Sequence, residues 1–116
     1  MISRLYRFHG HGSLRYVSKN ATAVRSKWFA LKVVPNRFRK HTRIAVVVSR
    51  KVHKRAVVRN RIRRRVYEIL RGELPKLPRV YDIVVIVTTS EVWAAEASEL
   101  RALLVSQLDS AVSDKR

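Results

Sequence analysis

The run from Ser49 to Leu70 begins as the end of an apolar strand, passes through a cationic loop and becomes an amphipathic helix. At about 100° per residue, Val58, Ile62, Val66, Ile69 and Leu70 fall on one stripe. The helix is expected to start near Ala56 to Val58 and to end around Arg71 and Gly72, with Gly72 as the C′ residue. Arg61 and Arg64 lie away from the stripe, and Arg59 and Arg63 sit along its flank. A helix that is apolar on one side needs a layer to bury it against. The segment directly upstream supplies one. Arg43 to Ser49 is a near-continuous apolar run, the pattern of a strand largely buried on both faces.

Two further strands are expected. Trp28 to Val34 alternates, with Phe29, Leu31 and Val33 on a core face and Trp28, Ala30 and Lys32 on a partly open one. Trp28 beside Lys32 suits either stacking on a base, with the ammonium at phosphate, or covering a sheet edge. The short basic turn from Arg37 to Thr42 favours an antiparallel hairpin between this strand and the next. Tyr81 to Val87 is rich in β-branched residues and should be central. After a turn at Thr88 to Val92, the residues Trp93, Ala97, Leu100, Leu104 and Leu108 recur at helical steps, giving a helix to about Ala111. Glu91, Glu96 and Glu99 lie near its N-terminal end, where the dipole favours anions. At the chain ends, residues 1–12 read as an extended arm and 112–116 as a frayed tail. Ser13 could cap a short helix from Leu14 to Lys19, with Leu14 and Val17 facing the core. The order of elements predicts an α/β (α+β) two-layer sandwich: one mixed central sheet with its helices against it.

A chain of 116 residues fits one domain. Its formal charge of +18 is uneven, with no Asp or Glu before Glu68. Such a field repels itself, so a polyanionic partner is expected, nucleic acid ahead of an acidic membrane surface. No apolar run approaches the roughly 20 residues of a membrane span, and the N-terminus lacks a signal-peptide core. A cytoplasmic location is the default. The absence of cysteine excludes disulfides and thiolate chemistry.

No catalytic residue and no metal site is assigned. Protein-only phosphodiester cleavage usually needs clustered carboxylates or a histidine acid/base pair. The carboxylates here are few and confined to the C-terminal part, and Asp82 at a strand head reads as a structural partner. His9 and His11 lie beside glycines with no carboxylate near, the pattern of a basic loop. His41 and His53 have no evident orienting acid. Arginines in a loop leading into a helix do, however, match phosphate geometry well.

The segment Val46 to Arg64 resembles the signature of bacterial ribonuclease P protein subunits. A valine-rich strand ends in Ser49-Arg50-Lys51, then come Ala56-Val57 and Arg59-Asn60-Arg61-Ile62-Arg63-Arg64. Trp28 to Asn36 and Asp82 to Val87 are similar to that family's other strands. The resemblance implies removal of the 5′ leader from precursor tRNA by a ribonucleoprotein endoribonuclease. Its catalytic RNA subunit cleaves the bond, and Mg2+ is held mainly by that RNA and the substrate. By position, Arg59, Asn60, Arg61, Arg63 and Arg64 fall in the RNA-contacting motif, with Arg50, Lys51 and Lys54 in the adjoining loop. Trp28, Lys32, Ser49 and Tyr16 would line a cleft for the single-stranded leader.

The resemblance also implies a left-handed crossover, against the usual right-handed preference. The chain departs from the family pattern at Leu14 and Ser18, where two phenylalanines four apart are common, and at His53, where glycine is usual. Catalytic RNA and precursor tRNA are the expected partners; no membrane and no protein partner is expected. A structural ribosomal RNA-binding protein is the rival reading, which shape alone does not separate.

Overall fold

The computed structural model describes residues 22–35, 40–77 and 79–113. The expected N-terminal arm and the helix at Leu14 to Lys19 lie outside these residues, as does Tyr16. Strands β1 (Thr22–Arg25), β2 (Phe29–Pro35), β3 (Arg43–Val47) and β4 (Tyr81–Val87) form one sheet in the order β1-β2-β4-β3. Helix α1 (Ala56–Glu73) connects β3 to β4, and helix α2 (Ala97–Ser113) follows β4. Short 3-10 turns occupy Leu74–Lys76 and Ser90–Trp93. The sheet is mixed, because β1 and β4 run antiparallel to β2 while β3 runs parallel to β4.

The expected hairpin between β2 and β3 does not form. β4 lies between them, and β2 instead pairs through the short turn at Ser26 to Trp28 with β1, a strand absent from the sequence reading. The connector after β2 therefore steps across one strand, a distance of roughly 10 Å. A few extended residues cover that at about 3.3 Å each, so a short loop does not by itself enforce pairing. β4 is central, as its composition indicated. β3 sits at the end of the described sheet, with Ile44, Ala45 and Val46 buried but Val47 exposed.

Both helices bury their apolar sides on one face of the sheet. Leu31 and Val33 of β2, Ile44 and Val46 of β3, and Ile83, Val85 and Val87 of β4 meet Val58, Ile62, Val66 and Leu70 of α1 there. Leu100, Leu104 and Leu108 of α2 complete the same core. The stripe read from the sequence is thus the packing face of α1, with Ile69 at its partly buried margin. Tyr67 joins that face, its hydroxyl accepting from the Val46 amide at 3.4 Å. Gln107 of α2 fastens the β1–β2 hairpin by donating to the carbonyls of Val24 at 2.6 Å and Phe29 at 3.1 Å.

Several boundaries differ from expectation. Gly72 lies inside α1, which continues to Glu73 and tightens into the 3-10 turn containing Pro75. Proline, with no amide hydrogen to donate, ends the regular helix here, so Gly72 need not supply a left-handed residue. Val112 and Ser113 belong to α2 rather than to a frayed tail, and Val112 is buried. Trp93 is not the first turn of α2 but part of the 3-10 turn before it. There Thr89 Oγ1 accepts from the Glu91 amide at 3.3 Å and so caps the turn.

Candidate nucleic-acid interface

Loop 48–55 and the N-terminal half of α1 form a continuous cationic surface. A turn closed by the Val52 amide donating to the Ser49 carbonyl at 3.0 Å leaves Ser49, Arg50 and Lys51 exposed. Lys54 is exposed as well. Helix α1 starts after Arg55 without a side-chain cap and without an acidic residue in its first turn. Its unpaired amides and positive dipole end therefore add to the field of the loop instead of being neutralised.

The motif residues divide by task. Arg59 folds back on the loop, its guanidinium donating to the carbonyls of His53 at 3.0 Å and Lys54 at 2.8 Å. His53 fixes the loop further, with Nδ1 accepting from the Arg55 amide at 3.1 Å. Arg59 thus shapes the surface more than it projects from it. Asn60 Oδ1 accepts from the Arg63 guanidinium one turn along. Arg61 and Arg64 are exposed and make no ion pair with any described residue, which leaves their donors available to a partner.

Arg65 was part of the charge run but not singled out in the sequence, where it reads as one more solvated arginine. It is a clamp. Its guanidinium donates to the carbonyls of Val92 at 2.8 Å, Trp93 at 3.1 Å and Ala95 at 2.6 Å, binding the 3-10 turn to α1. Charge-assisted bonds of this kind are individually worth about 1.5–3 kcal/mol. Partial replacement by water lowers the net effect, so Arg65→Ala should reduce stability by about 2 kcal/mol. Arg65→Lys should recover only part, because one ammonium cannot match the guanidinium fork. Urea midpoints of the two variants measure this.

The other sheet face carries the expected leader residues differently from the sequence reading. Register puts Lys32 of β2 beside Val84 of β4, and Val84 beside Ala45 of β3. Val34, Ala45 and Val84 form a second, smaller buried cluster with Ile86 packed against it. At one end Arg43 holds Asp82 in a two-pronged ion pair, Nε to Oδ1 at 3.0 Å and Nη2 to Oδ2 at 2.9 Å. The face is thus mainly aliphatic, with half-buried Lys32, this ion pair and exposed Arg25 of β1, the partner of Ala30, as polar features.

Trp28 is not on that face. It sits in the β1–β2 turn, one residue before β2 begins, so strand alternation does not govern its direction. Its ring is only 5% exposed and joins the main core beside Phe29. The indole N–H donates to Glu91 Oε2 at 3.1 Å, and Lys27 Nζ lies 4.4 Å from the ring centroid. Among the expected cleft residues, Lys32 and Ser49 keep accessible positions; Trp28 does not.

Among the described residues no group of His, Cys, Asp or Glu is arranged to hold a metal ion. Asp82 and Glu73, the buried carboxylates, face arginine or lysine. The fold and its surface define a basic α/β sandwich that presents arginines of a crossover helix, and of the loop before it, to a polyanion. The chain belongs to the ribonuclease P protein family, whose family model, Ribonuclease P, matches residues 2–111.

The ribonuclease P protein component of Chloroflexus aurantiacus is 41% identical over 98 residues, spanning 84% of this chain and 71% of its own. That of a Cyanothece species is 34% identical over 122 residues, spanning 90% of this chain and 93% of its own. Among solved structures, the Staphylococcus aureus RNase P protein superposes with a TM-score of 0.79 at 24% identity, covering 91% of this chain and 94% of that one. The Thermotoga maritima RNase P protein, in complex with a fluorophenyl thiourea, gives 0.72 at 25% identity, covering 90% and 94%. The four-stranded mixed sheet with its helices is the fold of these proteins.

Proposed function

We propose that this protein is the RNA-binding subunit of a ribonucleoprotein that removes the 5′ leader from precursor tRNA. Family membership supports this reading. The observation that carries it is the cationic surface of loop 48–55 and α1, where Arg61 and Arg64 have no acidic partner among the described residues. The catalytic RNA takes that surface, through phosphate contacts by Arg50, Lys51, Lys54, Arg61 and Arg64. Arg59 and the Asn60–Arg63 pair hold the surface in shape. The single-stranded leader runs beside the sheet, with half-buried Lys32 at a phosphate and exposed Ser49 at the edge of the cleft.

Hydrolysis belongs to the RNA in this proposal, with Mg2+ held by RNA and substrate, in the cytoplasm where precursor tRNA is processed. The protein lowers the magnesium demand by supplying fixed positive charge. Sedimentation of cell extract tests the assignment against a structural ribosomal role. The proposal expects co-migration with ribonuclease P RNA, released by moderate salt. Stoichiometric migration with ribosomal subunits would contradict it.

A further inference from the structure

Beside the arginine face lies a cleft that phosphate binding does not account for. It has a volume of about 560 Å³ and runs between α1 and the start of α2. Ile69, Trp93, Ala97 and Leu100 form its apolar floor, and Arg61, Arg64, Arg65 and Arg101 stand around it with Glu68 as the single acid. The size falls in the range of sites that enclose small organic groups, about 300–1,000 Å³. Trp93 is 38% exposed, one of the few large apolar side chains at the surface, whereas the other tryptophan is buried.

The cleft is built, not accidental. Arg65 uses three backbone carbonyls to fix the turn that carries Trp93. Arg61 lies over the Trp93 ring at 5.6 Å from its centroid, so one face of the indole is already in contact with a planar cation. The neighbouring Glu68 is engaged with Arg71 at 3.5 Å, which moderates its charge at the rim. An aromatic floor edged by arginines is the chemistry that holds an unstacked base together with its phosphate. An apolar peptide would meet the same floor, but it would have to desolvate the arginine rim without supplying anions.

We propose that this cleft is a nucleotide pocket for the RNA subunit: one unpaired base stacks on Trp93 while Arg61 and Arg64 take the adjoining phosphates. This rests on the reading of α1 as the RNA-facing helix and adds to it a contact that reads a base. Arg61, exposed and without an ion pair to the described residues, leaves the ring for phosphate as the base arrives.

The test uses the full chain with Trp93→Leu, which keeps an apolar floor, and Trp93→Phe, which keeps an aromatic face. Thermal melting of both variants verifies the fold. Affinity for ribonuclease P RNA is measured over a salt series, with inorganic polyphosphate as an anion that has no bases. Trp93→Leu should weaken RNA binding roughly tenfold at every salt concentration, since one stacked base is lost but no charge. The salt slope and the polyphosphate affinity should stay as in wild type, and Trp93→Phe should recover most of the loss. In wild type the RNA should quench tryptophan emission; Trp93→Leu, which retains only the buried Trp28, should show no quenching.

Wild-type RNA affinity in Trp93→Leu overturns the pocket while leaving the RNA-binding role intact. Equal losses for RNA and polyphosphate overturn it too, because Trp93 would then act only by shaping the arginines. A wild-type protein that does not bind this RNA overturns the functional reading along with the pocket.

Discussion

Trp28→Ala should destabilise the protein by about 3–5 kcal/mol, the range for removing a large aromatic ring from a packed core. The ring is 5% exposed, packs in the main core, and fills the corner where the β1–β2 turn meets the 3-10 turn before α2. Removing it also releases the indole bond to Glu91 and the ring contact under Lys27. The Thr88 amide donates to the Trp28 carbonyl at 3.0 Å, so the end of β4 is tied to the same corner. Chemical denaturation gives the magnitude. Wherever the variant is folded, leader-bearing and mature tRNA should lose affinity equally. A stable variant that loses only the leader-bearing substrate would return Trp28 to the leader cleft.

The second large effect is on assembly. Arg61→Ala with Arg64→Ala should weaken binding to the catalytic RNA on the order of a hundredfold, taking each charge-assisted contact at about 1.5 kcal/mol. The salt dependence should flatten by roughly one slope unit for each lost phosphate contact. Stability should change little, because both side chains are exposed and neither makes an ion pair with a described residue. Arg65→Ala offers the contrast: stability falls first, and RNA binding follows only as the 3-10 turn loosens. A double variant with wild-type affinity and slope would remove both arginines from the interface.

The long-period and composition-driven features could be read without coordinates. The stripe of α1 is set by residue spacing, and β4 by a run of β-branched residues that only a buried strand accommodates. The cationic surface follows from charge, and the motif from Ser49 to Arg64 gives the family. Pairing was less legible. Thr22–Arg25 is a strand only because β2 offers it an edge, and nothing in so short a polar-apolar alternation requires it. Trp28 misled because alternation was extended one residue too far, into a turn that rotates the ring into the core.

The arginines were legible as charge but not as individuals. Among the described residues, Arg59, Arg63 and Arg65 spend their donors on partners, and Arg61 and Arg64 do not. That division depends on which carbonyls the loop and the 3-10 turn bring near α1, contacts up to 30 residues apart along the chain. Trp93 fits the helical spacing of the residues after it, so its periodicity concealed a surface ring.

The most direct measurement is reconstituted cleavage. Purified protein and ribonuclease P RNA are combined with precursor tRNA at a magnesium concentration where the RNA alone is poor. Release of the 5′ leader should appear only when both are present, and the Arg61→Ala, Arg64→Ala double variant should need far more protein to reach the same rate. Saturating protein that alters neither the cleavage rate nor the affinity for precursor tRNA would contradict the account.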